Sequence, residues 1–463
     1  MSPVREAAFE PAVKEGELSA RCAKMLEYAS AAGADEAEVY ASWNEGIAVR
    51  FEKGDLKLTQ ADEGSSLGLR VFKDKRLGFS STNQTTDAAL EQAARDAMTL
   101  ASFSPPDEPN VLPECQPVEA AAPALNDDAV SFSIENAVDC ARELYESTTG
   151  VDPRVAIDTS DFGVTRGTAT IASTRGVAAA ESDAVISCSL FGMAVDGDDV
   201  GGFDSWGDFM RDPSRWDAVR SEVVSRFTEA VLGNLDAQRA ESYHGPVLFA
   251  PQALVSAFVS PLISAAGAIA VQRGRSALAG KVGEPIAASS LSIVDDPSDR
   301  SLIGATRFDR EGTPTGRFPI VEKGVLQSYL YNGYAAQVEG RRSTGHAAGG
   351  ARSVPSLGPH ALVVDGGDGG DLDAMLASLG RGLFVQRFSG SVDPASGDFS
   401  GVAKSARWVE GGRVVRSLRE TLISGNAFEI LHSIVSLSSN TLSLSGSMRA
   451  PWAILDGLSV TAG

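Results

Sequence analysis

Histidine and cysteine are scarce in this 463-residue chain, at four each. Cys22, Cys115, Cys140 and Cys188 all fall in the first half, with no CxxC or CxH spacing. They read as reduced, mostly buried thiols of a cytoplasmic protein, not as a disulfide or metal framework. His244, His346, His360 and His432 are equally scattered, and no two lie within one helical turn. A hydrolytic zinc needs about three protein ligands and an open position for water, and no local cluster offers them. Basic residues are also few: 40 Lys and Arg stand against 61 Asp and Glu, a formal charge of −21. Binding to a phosphate backbone needs clustered Lys and Arg, so no nucleic-acid partner is expected, and the acidity serves solubility. Met1–Leu18 is mixed and acidic with no apolar core, so no secretory leader is expected.

One long stretch lacks charge altogether. Gly245–Gln272 is long enough to cross a bilayer. Pro251 and Pro261 interrupt it, Ser256, Ser260 and Ser264 add hydroxyls, and no second span resembles it. The pattern predicts a buried core helix over Leu254–Gly274 and no membrane partner.

Hydrophobic content of 43% and charged content of 22% are those of a globular protein with room for two or three cores. The expected class is α+β: an N-terminal α/β region with a mixed or antiparallel sheet and packed helices, then a β-rich, barrel-like C-terminal domain around a buried helix. Residues 1–104 form the first subdomain. Helical spacing marks Glu17–Ala32 and Thr86–Ala101, alternation marks strands at Glu38–Trp43 and Gly46–Glu52, and Ser66–Lys73 and Leu77–Ser81 read as a hairpin around Asp74-Lys75-Arg76. Residues 105–126, rich in Pro, Ala and Glu, read as a connector. Residues 127–240 form a second subdomain, with helices Ser131–Ser147 and Trp216–Asn234 flanking an antiparallel meander. Residues 241–463 carry many short strands and glycine turns. The helices expected there are Leu372–Leu379 and Asn426–Leu431.

Several motifs dissolve on inspection. Gly274–Lys281 (GRSALAGK) is one residue too long for a phosphate loop, and Val282 stands where Ser or Thr should hold magnesium. Gly64–Gly68 (GSSLG) leads into a strand, whereas a nucleophile elbow leads into a helix. Asp295-Asp296 and Asp309/Glu311 are acidic pairs in turns with Pro and Gly, where carboxylates cap backbone N–H groups.

The region Gly280–Gly350 holds a distinctive succession: GKVGEPIA, SIVDDPSDR, RFDREGTPTGRFPIVEKGVLQSYLYN, then STGHAAGG. This succession resembles the TldD/PmbA family, as do GADEAEVY (Gly33–Tyr40), GLRVFKDKRLGFSST (Gly68–Thr82) and the closing LDGLSV (Leu455–Val460). In the TldD branch a helix before the VGE turn carries a zinc-binding HExxxH. Placed on Val282-Gly283-Glu284, those positions fall near Val259, Ser260 and Ser264, and Thr441–Gly457 lacks the cysteine that branch also uses. The chain therefore resembles the metal-site-lacking TldE/PmbA-type subunit, with no catalytic or metal residue of its own.

The resemblance implies a non-catalytic subunit of a two-subunit zinc metallopeptidase acting on unfolded or extended peptides. Zinc is then expected in a TldD-like partner, with no cofactor in this chain. Candidate peptide-cleft or interface residues are Arg307, Asp309, Glu311, Tyr329, Tyr331 and His346. An exposed strand edge could hold such a peptide by main-chain hydrogen bonds. Two other readings stay open: a regulatory protein of the DNA-gyrase-modulator type, and a metal-free homodimer that binds some other ligand.

Overall fold

A computed structural model describes residues 9–118, 125–419 and 421–462. Residues 119–124 of the expected connector, and residues 1–8 of the N-terminal segment, lie outside the described residues. The N-terminal half is one sheet. Its strands are Glu36–Glu52 (β1), Asp55–Lys73 (β2), Arg76–Thr82 (β3), Val155–Ser173 (β4), Ala178–Asp196 (β5) and Asp204–Met210 (β6). β1 pairs antiparallel with β2 on one side and with β4 on the other, from Glu38↔Ser173 to Glu52↔Thr159. The segments divided at the connector thus share a single sheet. The segments read as separate short strands are single long ones, because Gly46, Gly163 and Gly167 lie inside strands and do not end them.

Four helices cover one face of this sheet: Pro11–Ala31 (α1), Asp87–Phe103 (α2), Ile134–Thr149 (α3) and Trp216–Leu232 (α4). Each buries its apolar stripe, such as Leu18, Cys22, Met25 and Ala29 of α1. Side-chain caps from Thr86 and Ser133 start α2 and α3. At Gly78 on β3, a Cβ would stand 1.9 Å from the Ala97 carbonyl of α2. Gly78→Ala is expected to lose about 1–3 kcal/mol in urea denaturation by forcing α2 outward. Gly64→Ala, with open space at its Cβ, should stay within about 0.5 kcal/mol of wild type.

The C-terminal half is built on a strongly branched sheet of 14 strands among the described residues. Its long closing strand, Met448–Ala462, pairs with Tyr243–Phe249, Leu362–Val364, Ile434–Leu444 and Thr421–Asn426. Val247, Ile293, Leu383, Ile423 and Leu455 from this sheet pack on Ala253, Phe258, Leu262 and Ala265 of the uncharged segment, which forms the middle of the largest core. The buried helix is therefore present, but it is not continuous over Leu254–Gly274. It runs as an α-turn at Pro251–Leu254, a π-helical turn at Val255–Val259 and an α-helix at Ser260–Ala265, and it resumes at Ala268–Gln272 after Gly267. Pro261 supplies no N–H to the preceding turn, and that turn widens. No helix among the described residues is long and apolar enough to cross a membrane.

Candidate functional site

The turn Arg307–Thr313 joins the two halves. Asp309 Oδ1 accepts the N–H groups of Glu311 and Thr313 (2.9 Å each), and its Oδ2 accepts that of Ala347 (3.0 Å). This closes the turn, so Arg310 and Glu311 project into the N-terminal sheet. Glu38 and Arg70 face each other across β1 and β2. Arg70 Nη2 lies 2.7 Å from Glu38 and 2.9 Å from Glu311, and Arg310 Nη1 donates to Glu38 at 2.9 Å. The Arg310 guanidinium also lies 4.3 Å from the centre of the Tyr40 ring. All four charged groups are buried, and the two arginines balance the two glutamates. At Gly68 the Ala351 carbonyl approaches β2 so closely that a Cβ would meet it at 2.1 Å.

Burial, followed by the neighbouring Glu311 charge, pushes the Asp309 carboxyl up to about 8, while the three N–H donors act the other way. The folded chain then holds a proton that the unfolded chain releases above about pH 4. Stability from this group is full below that pH and is lost as pH rises through about 8. Unfolding free energy is expected to fall over pH 5–8 by up to about 1.4 kcal/mol per pH unit. Asp309→Asn should flatten that slope in denaturation curves, whatever its mean stability.

The other candidate residues are also engaged internally. Arg307 is half-buried; its backbone N–H donates to Glu181 (3.0 Å) and its Nη2 to the Ala180 carbonyl (2.7 Å). Tyr329 donates to the Leu278 carbonyl (2.6 Å) and Tyr331 to Glu339 (2.9 Å). Burial pushes the Tyr331 hydroxyl up to about 12, helped by Glu339. His346 is buried, with Nδ1 2.8 Å from Thr344 Oγ1. Its Nε2 lies 3.2 Å from Asp295 Oδ2, but misaligned for a hydrogen bond. Asp295 also accepts the N–H groups of His360 and Ala361. Burial alone would raise the Asp295 carboxyl; its histidine and amide neighbours outweigh that and hold it below the usual range. Asp309, Glu311, Tyr329, Tyr331 and His346 are therefore all buried with internal partners. Two clefts lie at the seam: Arg307 lines one, and Asp309 lines the other. The larger of these, about 450 Å³, is bounded by Tyr40, Asn44, Thr165 and Glu181 of the sheet and by Phe308 and Gly349.

The open chemistry lies elsewhere. Ser256 and Ser264 are exposed and Ser260 half-buried, one above another on the outer face of the interrupted helix. The strand Arg387–Val392 packs beside the π-helical turn and, among the described residues, pairs only with Asp398–Lys404. The Asp393 N–H donates to the Asp398 carbonyl. Alternation from that pair turns the main-chain groups of Phe388, Gly390 and Val392 away from the ladder, toward the unpaired edge.

Comparison with known proteins accords with this architecture. Residues 242–462 match the PmbA/TldA metallopeptidase C-terminal domain, and residues 37–101 match PmbA/TldA metallopeptidase domain 1. The chain belongs to the PmbA/TldD family. It is 25% identical to a Haemophilus influenzae metalloprotease PmbA homolog over 95% of each chain. It is 25% identical to Escherichia coli metalloprotease PmbA, over 88% of each. Its structure superposes on TldE from Thermococcus kodakarensis with a TM-score of 0.87 at 22% identity, covering 95% of this chain and all of that one. A Thermotoga maritima protein proposed as a modulator of a DNA gyrase gives 0.83 at 24% identity, covering 96% and 100%.

The metalloprotease names of these PmbA/TldD relatives imply a metal in the family. The donor set at the positions near Val259, Ser260 and Ser264 does not fit zinc. Val259 is a buried alkyl group, and the Ser264 hydroxyl donates to its own helix at the Ser260 carbonyl (2.9 Å). Among the described residues no group of three or more His, Cys, Asp or Glu is placed to hold a metal ion.

Sequence reasoning passed over Glu38, Arg70 and Arg310, which carry the seam, and the edge strand Arg387–Val392. Arg70 left one trace: it is a charged residue flanked by Leu67, Leu69, Val71 and Phe72.

Proposed function

We propose that this chain is the non-catalytic subunit of a heterodimeric, cytoplasmic zinc peptidase, walling the cleft in which an extended peptide is held. The observation that carries the reading is a juxtaposition. A one-sided strand edge, Arg387–Val392, runs beside the helix whose family metal positions hold Val259, Ser260 and Ser264. The edge can add a peptide as a further strand by main-chain hydrogen bonds, which suits unfolded substrates of varied sequence. The helix beside it supplies no side chain able to activate water. A TldD-like partner would bring the zinc, the general base and the hydrolytic water.

Co-expression with the TldD-like relative from the same genome tests this. A stable one-to-one complex should cut an unfolded protein that this chain alone leaves intact. Cleavage by this chain alone, or a partner equally active without it, overturns the reading.

A further inference from the structure

An uncovered aromatic pair sits where the edge strand begins. Phe191 of β5 stacks on Phe203, with ring centroids 5.1 Å apart and planes within 2°. The two residues are nevertheless 39% and 49% exposed, and Val200 in the same hairpin is exposed as well. Apolar surface held open in this way marks a contact site. Phe191 of the pair borders a cleft of about 400 Å³ between the N-terminal sheet and the C-terminal half, and Phe203 backs it from outside the cleft. Leu190, Phe191, Trp206 and Phe209 form its apolar side, and Gln252 stands at its rim. Neither the Trp206 indole N–H nor the Gln252 side-chain amide makes a hydrogen bond within the described residues. Asp161, five serines and Gln252 make up the rest of its polar lining, so the cleft sets an aromatic wall against polar groups.

Two links join this cleft to the edge. Arg387, the first residue of the edge strand, places Nη1 3.2 Å from Asp204 and donates from Nη2 to the Phe203 carbonyl at 3.4 Å. Gln252 lies one helical turn before Ser256 on the interrupted helix, and the Ser256 hydroxyl donates to its carbonyl. A peptide added along Arg387–Val392 and extended past Arg387 would run toward Phe203 and, through its stacking partner Phe191, toward the cleft.

We propose that this cleft is a side-chain subsite selecting one aromatic residue of the extended peptide, beyond the strand-paired segment. An aromatic side chain buries about 150–250 Å², suits an aromatic wall, and leaves its backbone within reach of the free Gln252 and Trp206 groups. The inference rests on the peptide-holding reading above and adds a substrate class to it. The edge selects extended chains, and the cleft selects among them.

The test uses the complex of this chain with its zinc-bearing partner. Two soluble Gly/Ser/Lys peptides are compared that differ at one position, Phe against Ala, moved along the sequence. At one register the Phe peptide should show about tenfold higher kcat/KM, the scale of one well-packed aromatic contact. Phe203→Ala and Phe191→Ala, which take away the aromatic wall, should reduce that ratio toward one while complex formation stays unchanged. Equal use of both peptides at every register, or a ratio untouched by both variants, overturns the subsite and leaves the subunit reading standing. Loss of the complex in Phe203→Ala would make the patch a subunit interface instead. Failure to cut either peptide, or any unfolded protein, would remove both readings together.

Discussion

Arg310→Ala is expected to lose about 3–5 kcal/mol of unfolding free energy, the scale for removing one member of a buried charge cluster. Arg310 donates to Glu38 and lies over the Tyr40 ring, and Arg310 and Glu38 are both buried. Without Arg310, Glu38 would keep only Arg70, which it already shares with Glu311. The cluster is one of several contacts between the N-terminal sheet and the C-terminal half, beside Arg211 with the Leu302 carbonyl and Arg387 with Asp204, and the variant should make the seam more open to limited proteolysis. Arg310→Lys keeps the charge but not the planar fork, and should recover only part of the loss. Removing both members of the pair, as Arg310→Met with Glu38→Leu, should cost less than the single alanine substitution because no lone carboxylate is stranded. Denaturation in urea decides the matter: a loss under about 1 kcal/mol would mean that the seam is hydrated.

Val392→Pro should reduce cleavage of an extended substrate by the proposed two-subunit complex about tenfold. The Val392 N–H points to the unpaired edge, where proline is tolerated by the existing ladder. Its loss removes one main-chain bond to an added strand, worth about 1 kcal/mol or somewhat more. Complex formation, zinc content and thermal midpoint should be unchanged. The penalty should appear as a higher KM with kcat preserved, because the bond is made equally to substrate and transition state. An unaltered KM would move the peptide to another surface.

The sequence announced elements whose pattern was local. Apolar residues at helical spacing defined α1 and α2, and the hairpin turn sits at Asp74 and Lys75, both at positive φ. It concealed features decided by distant partners. Glu38–Trp43 and Gly46–Glu52 read as two strands; in the sheet Asn44 and Glu45 pair on both sides and join them, and at Gly46, between Asp62 and Thr165, a Cβ would stand 3.0 Å from the Asp62 carboxylate. Glu38, Arg70 and Arg310 are ordinary charged residues until the fold brings positions 38, 70 and 310 together. Tyr329, Tyr331 and His346 show the limit of residue type as a guide. Their residue types suit an interface, yet each is buried with internal partners. The helix interruption was half legible: Pro261 was visible, but the widened turn before it depends on the packing around Phe258 and Val259.

Zinc counted per assembled complex by native mass spectrometry tests the central claim most directly. The account predicts one zinc per heterodimer, retained by the partner when the subunits are separated, and none held stoichiometrically by this chain. Two zinc ions per heterodimer, or one remaining with this chain after separation, would contradict it.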